Sequence, residues 1–258
     1  MKKIAALVVL FIVVGSCKKD GTGVNLFSIQ DDKDLGLQVK GQIESDPSMF
    51  PIADRATYPE AYAFLDSIRD VVLASDDIIY RDDFAWEVYI IADDSTLNAF
   101  ATPGGYIYFY TGLMKFLDNS HALAGVMGHE LAHSDRRHST NQLTKQYGLS
   151  TLASAILGDS NILADVTTGL IGLEFTRKHE TEADEFSVKY LCESDYEASG
   201  AAEFFDKIGG SSGTPTFLST HPNSEDRITN IRALDSTLAC TGSVTQEARY
   251  AQFKASLP

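Results

Sequence analysis

The sequence has few basic residues and lacks a long apolar run in its interior. Its 258 residues include 21 Lys and Arg against 36 Asp and Glu, a formal net charge of -15. Because a phosphate backbone needs a basic face, this balance excludes nucleic acid as a partner and disfavours a polybasic contact with anionic lipid. The interior region 147–175 is mostly apolar, but Asp159 and Asp165 fall centrally in it and each half is too short to span a bilayer. We expect a helical hairpin packed on the core; a membrane- or substrate-facing plug is the alternative.

Cysteine is scarce, and the first of the three cysteines ends an N-terminal segment that is unlike the remainder of the chain. MKKIAALVVLFIVVGSC has a basic start and a short apolar run from Ile4 to Val14. Its last four residues resemble the bacterial lipobox, in which the cysteine is lipidated and becomes the new N-terminus. Residues 1–16 are therefore predicted to be a lipoprotein signal peptide, Cys17 the lipidation site and 17–30 a flexible linker. An ordinary secretory signal is the alternative.

A lipidated N-terminus would anchor the protein to a membrane in the cell envelope, outside the cytoplasm. Lys18, after the cysteine, is compatible with sorting to the outer membrane, on either its periplasmic or its surface side. Only Cys192 and Cys240 then remain. In an oxidising compartment they could form a disulfide, but two buried free thiols fit the spacing equally well.

The rest of the sequence predicts an α+β, mainly helical fold with a small β-sheet. Phe84–Ala92 is a β-rich run, and Thr102–Gly112 is typical of a Gly-Gly turn followed by a second strand, with a loop between them. From Leu113 the pattern turns helical, and one helix is expected over His121–His138. We expect residues 31–240 to form one domain beside which 241–258 is a C-terminal tail.

The stretch HELAH, residues 129–133, fits the zinc-protease template H-E-x-x-H. On a helix, residues four apart lie close in angle, so His129 and His133 can bind one ion. Glu130 stands next to the first ligand, where a carboxylate can take a proton from a metal-bound water. A chance match or a plain charged helix is the alternative for so short a motif.

Zinc needs a third protein ligand, and the sequence offers few candidates. A metzincin would need Gly at 136 and His at 139, which are Arg136 and Ser139. His138 follows at a spacing of five from His133, which on one continuous helix turns it away. The remaining option is a carboxylate on a later helix.

That later helix begins with RKHETEADEF, residues 177–186. Glu180 is the natural third ligand, and Asp184, one turn on, can accept a hydrogen bond from a ligand histidine. The alternative is that these carboxylates form a solvated acidic face.

HELAH followed some forty residues later by ETEAD resembles the gluzincin metallopeptidases of the HtpX and CAAX-prenyl-protease family. The likeness is greatest to their soluble, BepA-like and Oma-like branch. NAFATPGGYIYFYTGLM (98–114), SDRRH (134–138) and THPNSEDRI (220–228) also resemble family segments, in the same order along the chain. The resemblance implies a zincin-like metallopeptidase domain with its sheet beside the active-site helix.

The resemblance also implies roles for late residues. It implies one Zn²⁺ held by His129, His133 and Glu180. The late His221 and Arg227 would lie near the metal, where they could stabilise the oxyanion of the reaction. In BepA-like members the late histidine can instead approach the zinc and block the water site, and both roles stay open for His221.

The same resemblance implies a substrate strand. Tyr106–Tyr110 would be an edge to which an extended polypeptide adds as a further strand, or an ordinary structural edge. The residues expected to bind substrate there are Asn98, Ala99, Phe100, Gly104, Gly105 and Tyr106.

Together these features predict a lipid-anchored zinc metalloendopeptidase that cleaves polypeptides of the cell envelope, chiefly unfolded or misassembled ones. The alternative is a latent, non-proteolytic member that binds clients, with His221 closing the zinc site. A structural lipoprotein with chance motifs would hold no zinc.

Overall fold

The computed structural model describes residues 27–210, 216–222, 226–243 and 246–258, so the predicted signal peptide and Cys17 lie outside the described residues. The helices in these ranges are Ile29–Glu44 (α1), Pro59–Leu73 (α2), Thr111–Phe116 (α3), Ser120–Asp135 (α4), His138–Tyr147 (α5), Leu149–Ile156 (α6), Ser160–Ile171 (α7), Arg177–Leu191 (α8), Gly200–Gly209 (α9), Thr216–Thr220 (α10), Arg227–Leu238 (α11) and Glu247–Ser256 (α12). The strands are Glu87–Ile91 (β1), Ala99–Thr102 (β2) and Tyr106–Tyr110 (β3). The predicted α+β, mainly helical class is confirmed.

The sheet has the strand order β1-β3-β2, with β1 parallel and β2 antiparallel to β3. β2 and β3 form a hairpin whose turn needs a positive φ at Gly104 and Gly105, a conformation that glycine adopts readily. Two expectations were wrong. Asp93–Ala101 is not all loop, since it contributes the start of β2, whose four residues are too few to show an alternating pattern. Tyr106–Tyr110 is the central strand and not an edge, because β2 pairs on its second side.

Helix α4 is buried along its whole length, which explains its many small and apolar residues. Gly125 lets the backbone of α9 approach closely, because a Cβ there would lie 2.1 Å from the Ala201 nitrogen. Gly128 does the same toward Ser187 of α8, whose hydroxyl donates to the Gly125 carbonyl at 2.8 Å. The helix is thus clamped between α8 and α9, and its position is set by backbone contact.

The helix predicted over 121–138 is two helices. α4 ends at Asp135, and Arg137 has a φ of 59°, in the left-handed region that a non-glycine residue rarely adopts. The Arg137 guanidinium holds this conformation by donating to the buried Asp32 carboxylate and, at 2.6 Å, to the Phe27 carbonyl. His138 therefore begins a new helix, α5, in a new direction.

The mostly apolar region 147–175 forms the expected hairpin, α6 and α7. It packs on α1 and on the aromatic face of the sheet, in an apolar cluster of its own. None of the helices in the described ranges combines the length and apolarity that crossing a membrane requires.

The C-terminal part of the chain packs back on the domain. A disulfide joins Cys192 to Cys240, with Cα atoms 4.7 Å apart, and so ties the end of α8 to the end of α11. The segment expected to be a tail contains α12, whose Tyr250 and Phe253 are buried in the main core. Tyr250 also donates to the Met114 carbonyl at 2.9 Å.

Candidate metal centre

Helices α4 and α8 bring the three predicted ligands together. His129 and His133 face α8, and their Nε2 atoms are 3.0 Å apart. Glu180 lies in the first turn of α8, where Thr176 caps the helix. Its Oε1 is 3.5 Å from Nε2 of His133, and its Oε2 is 3.6 Å from Nε2 of His129.

His221 is the fourth member of the cluster. Its Nδ1 lies 3.1 Å from Oε1 of Glu180 and 3.3 Å from Nε2 of His129. The four donor atoms lie within 4.8 Å of one another and all four residues are buried. Three imidazole nitrogens and one carboxylate oxygen in a dry site are donors that zinc binds tetrahedrally. The cluster could therefore hold one metal ion, and its chemistry is consistent with zinc.

His221 is held in place by the short helix α10 just before it. Its ring stacks on Phe217, with centroids 4.2 Å apart. α10 is in turn tied at both ends, since the Phe217 amide donates to the Leu97 carbonyl and the Phe175 amide donates to the Thr220 carbonyl, at 3.0 and 3.1 Å. With zinc held by the other three residues, His221 would take the place of the water that a catalytic zinc site keeps.

Glu130 is fully buried beside the cluster. Burial raises the pKa of its carboxyl, an effect that His221 and His129 partly offset. Nε2 of His221 is 3.6 Å from its Oε1. A buried carboxylate with a raised pKa, next to a cluster that could hold a metal ion, has the character of a general base or acid.

Two further residues support the cluster from behind. Asp184 places Oδ1 3.0 Å from Nδ1 of His129, the nitrogen that faces away from the other donors. Arg227 donates two hydrogen bonds to Asp184, at 2.6 and 2.7 Å, and forms a 2.8 Å ion pair with Glu180. Burial opposes ionisation of Asp184, but Arg227 and His129 together outweigh it and lower the pKa of this carboxyl.

Arg227 thus lies where the prediction expected it, near the cluster, but its guanidinium is engaged with two carboxylates. In this arrangement it orients Glu180 and Asp184, and its role in stabilising an oxyanion stays a prediction. Neighbouring charges outweigh burial at His221 as well, because Glu180 and Glu130 raise the pKa of its ring although burial lowers it.

The predicted substrate residues divide into three groups. Asn98, Ala99 and Phe100 lie at the start of the edge strand β2, beside the stretch that α10 contacts. Gly104 packs against α1, and Gly105 packs against Trp86, so these two glycines support the hairpin turn. The remaining predicted residue, Tyr106, lies in β3 and in the apolar cluster that the sheet forms with α1, α6 and α7.

β2 is attached to helices α4 and α5 by side chains. Ser134 donates to the Thr102 carbonyl and Ser139 donates to the Ala101 carbonyl, both at 3.2 Å. The strand beside the cluster is therefore β2, and sequence reasoning missed it because its pattern is too short. It also missed His138, whose Nδ1 lies 3.1 Å from Nδ1 of His133. The spacing rule had excluded this residue because it assumed one continuous helix.

A helix with two histidines four residues apart, completed by a glutamate from a later helix, defines a gluzincin type of metal site. Residues 65–235 match peptidase family M48, and the chain belongs to this family. The predicted resemblance is thereby confirmed.

Curated relatives are similar to part of the chain. The chain is 33% identical over 158 residues to the mitochondrial metalloendopeptidase OMA1 of Schizosaccharomyces pombe, covering 58% of this chain and 46% of that protein. It is 30% identical over 157 residues to the metalloprotease YcaL of Escherichia coli, covering 57% and 60%. It is 28% identical over 162 residues to the beta-barrel assembly-enhancing protease of Escherichia coli, covering 56% and 33%. In each case less than two thirds of the relative's length is matched.

Proposed function

We propose that this protein is a zinc-dependent metalloendopeptidase of the cell envelope. The observation that carries the proposal is the buried convergence of His129, His133 and Glu180 beside the buried carboxylate of Glu130. These three residues would hold the ion. When bound, zinc would lower the pKa of a water and polarise the peptide carbonyl.

Glu130 would carry the proton in both directions. Its carboxylate accepts the proton from the attacking water, and later delivers it to the amine that leaves. Burial suits this role, because it raises the pKa of the carboxyl and so makes the carboxylate a stronger base.

We infer that the arrangement with His221 in the cluster is a latent state. Four protein donors leave no position for water, so catalysis requires α10 to move His221 away. An extended polypeptide would then add to the outer edge of β2, near Asn98 and Ala99, where the Leu97 carbonyl now accepts from the Phe217 amide. The non-proteolytic alternative, a client-binding protein with a permanently closed site, draws on the same geometry.

We also propose a lipid anchor and a class of substrates for this protein. The lipobox-like ending at Cys17 supports a lipid anchor, which a Cys17→Ser variant would abolish in a radiolabelled palmitate assay. One relative is named a beta-barrel assembly-enhancing protease, which supports unfolded or misassembled envelope proteins as substrates.

The deciding experiment combines metal analysis with cleavage of an unfolded protein such as casein. We expect the wild type to bind one zinc and cleave, and Glu130→Gln to keep the zinc and lose cleavage. Glu185→Gln, at an exposed carboxylate on α8, is the matched control and should behave as the wild type does. Stoichiometric zinc with full cleavage in Glu130→Gln would refute the mechanism, and a wild type without zinc would refute the function.

A further inference from the structure

The six histidines of the chain are all buried, and the proposed function uses only three of them as members of the donor cluster. His138 and His179 lie directly behind His133, with their rings stacked at 4.5 Å between centroids. His121 lies elsewhere, where its Nδ1 accepts from the Glu197 amide at 2.9 Å. A fully buried imidazole in contact with a ligand needs a role of its own.

The two ring nitrogens of His133 face different partners. Nε2 points to the other donors of the cluster. Nδ1 points to Nδ1 of His138, at 3.1 Å, which is a hydrogen-bond distance. The ring of His138 continues outward, because its Nε2 lies 3.6 Å from Oε2 of Glu182, a side chain that is 23% exposed.

A bound metal determines the direction of these contacts. A ligating nitrogen offers its lone pair, so a neutral histidine bound through Nε2 carries its hydrogen on Nδ1. His133 must then donate and His138 must accept. His138 in turn carries its own hydrogen on Nε2, on the side of the Glu182 carboxylate.

We propose that His138 is a positioning residue that accepts the Nδ1 hydrogen of His133 and thereby sets the tautomer and orientation of this ligand. This proposal rests on the proposed zinc site. The other ligand histidine is supported differently, since Asp184 lies behind His129. One ligand is therefore supported by a carboxylate directly, and the other by a neutral imidazole with a carboxylate one step further away.

The chain achieves this contact by breaking the helix. On a continuous helix a spacing of five turns a residue by roughly 140° from His133, which would separate the two rings. The left-handed Arg137 redirects the chain, and its buried ion pair with Asp32 stabilises the break. A purely structural role for His138, as a filler stacked on His179, is the competing explanation.

The test compares variants that keep or remove the acceptor. His138→Phe keeps a flat ring against His179 but accepts nothing, and His138→Leu repeats the test should the larger ring not fit. His138→Asn is the conservative variant, because its Oδ1 can stand near the original Nδ1. His121→Leu is the control for losing a buried histidine away from the cluster.

Three quantities are measured on each folded protein. They are the zinc dissociation constant by competition with a chromophoric chelator, the visible absorption of the cobalt-substituted protein, and the thermal unfolding of the metal-free protein. We expect His138→Phe and His138→Leu to weaken zinc binding about 10- to 100-fold and to change the cobalt spectrum. His138→Asn should restore most of both properties. His121→Leu should lower only the unfolding temperature.

The outcomes separate this proposal from the function on which it rests. A wild type that binds no zinc refutes the proposed function. A wild type that binds zinc, with unchanged zinc affinity and cobalt spectrum in His138→Phe or His138→Leu, overturns the positioning role alone. Equal losses in the Asn and Phe variants would also overturn it, because they would indicate that ring shape and not acceptance matters.

Discussion

The donor cluster is assembled from two regions that are built in different ways. α4 and α8 present His129, His133 and Glu180 from long helices in backbone contact. His221 follows α10, a helix of five residues held by two backbone hydrogen bonds, by the ring stack on His221 and by the burial of Phe217 in the main core. The second region is therefore held by fewer contacts than the first, and we expect it to move more easily.

The histidines of the two regions also differ in how close a partner lies to the ring nitrogen that faces away from the cluster. Nδ1 of His129 and Nδ1 of His133 each lie near a buried partner, Asp184 or His138. Nε2 of His221 faces the buried carboxylate of Glu130 at the longer distance of 3.6 Å. The comparison indicates a permanent three-residue site to which a fourth residue is added reversibly.

The largest expected effect comes from breaking the rigid region at Arg227. Replacing it with Met leaves the buried charges of Asp184 and Glu180 uncompensated, so we expect the free energy of unfolding to fall by about 3–5 kcal/mol. Urea denaturation of the metal-free protein measures this. Arg232→Met, in the same helix but in an exposed ion pair, is the control and should change stability little. Equal stability of the two variants would contradict the idea that α8 is supported by this network.

The reversible region is tested at His221 itself. His221→Ala should keep stoichiometric zinc, because three ligands remain, and should open the position for water. If the open state is populated at about 0.1–10%, casein cleavage should rise about 10- to 1000-fold. His133→Ala is the comparison and should lose zinc and activity together. A His221→Ala protein that keeps zinc but cleaves more slowly than the wild type would favour a role in stabilising the oxyanion.

The motif residues on α4 and α8 could be predicted from the sequence because helical spacing determines which side chains meet. His129 with His133, and Glu180 with Asp184, lie four apart on single helices, and such pairs share a face wherever the helices pack. What could not be predicted depends on contacts between distant segments. The break at Arg137 relies on Asp32, far away in α1, and so the contact of His138 with His133 was invisible to a spacing rule.

The sheet shows the same limit. The Gly-Gly turn and the strand after it could be recognised from local residue types, but β2 is a strand only because β3 pairs with it. That pairing moves Tyr106–Tyr110 from the edge to the centre. The place of α12 in the core was equally hidden, since burial of Tyr250 is a property of the whole fold.

The smallest effect is expected at Phe217 of α10, which supports His221 by stacking on its ring. Phe217→Leu removes the ring stack on His221 while keeping an apolar side chain of similar volume. Aromatic pairs contribute about 0.5–1.5 kcal/mol, so the closed state should weaken and casein cleavage should rise roughly two- to tenfold. Phe109→Leu, at an equally buried phenylalanine in β3, is the matched control; it should lower stability without raising activity. Both variants lose the same atoms from the core. A rise in cleavage that is confined to Phe217→Leu would therefore show that the contacts of His221 with α10 stabilise the latent state. An equal rise in both variants would indicate that general loosening of the domain increases cleavage. It would contradict the view that α10 is more easily moved than α4 and α8.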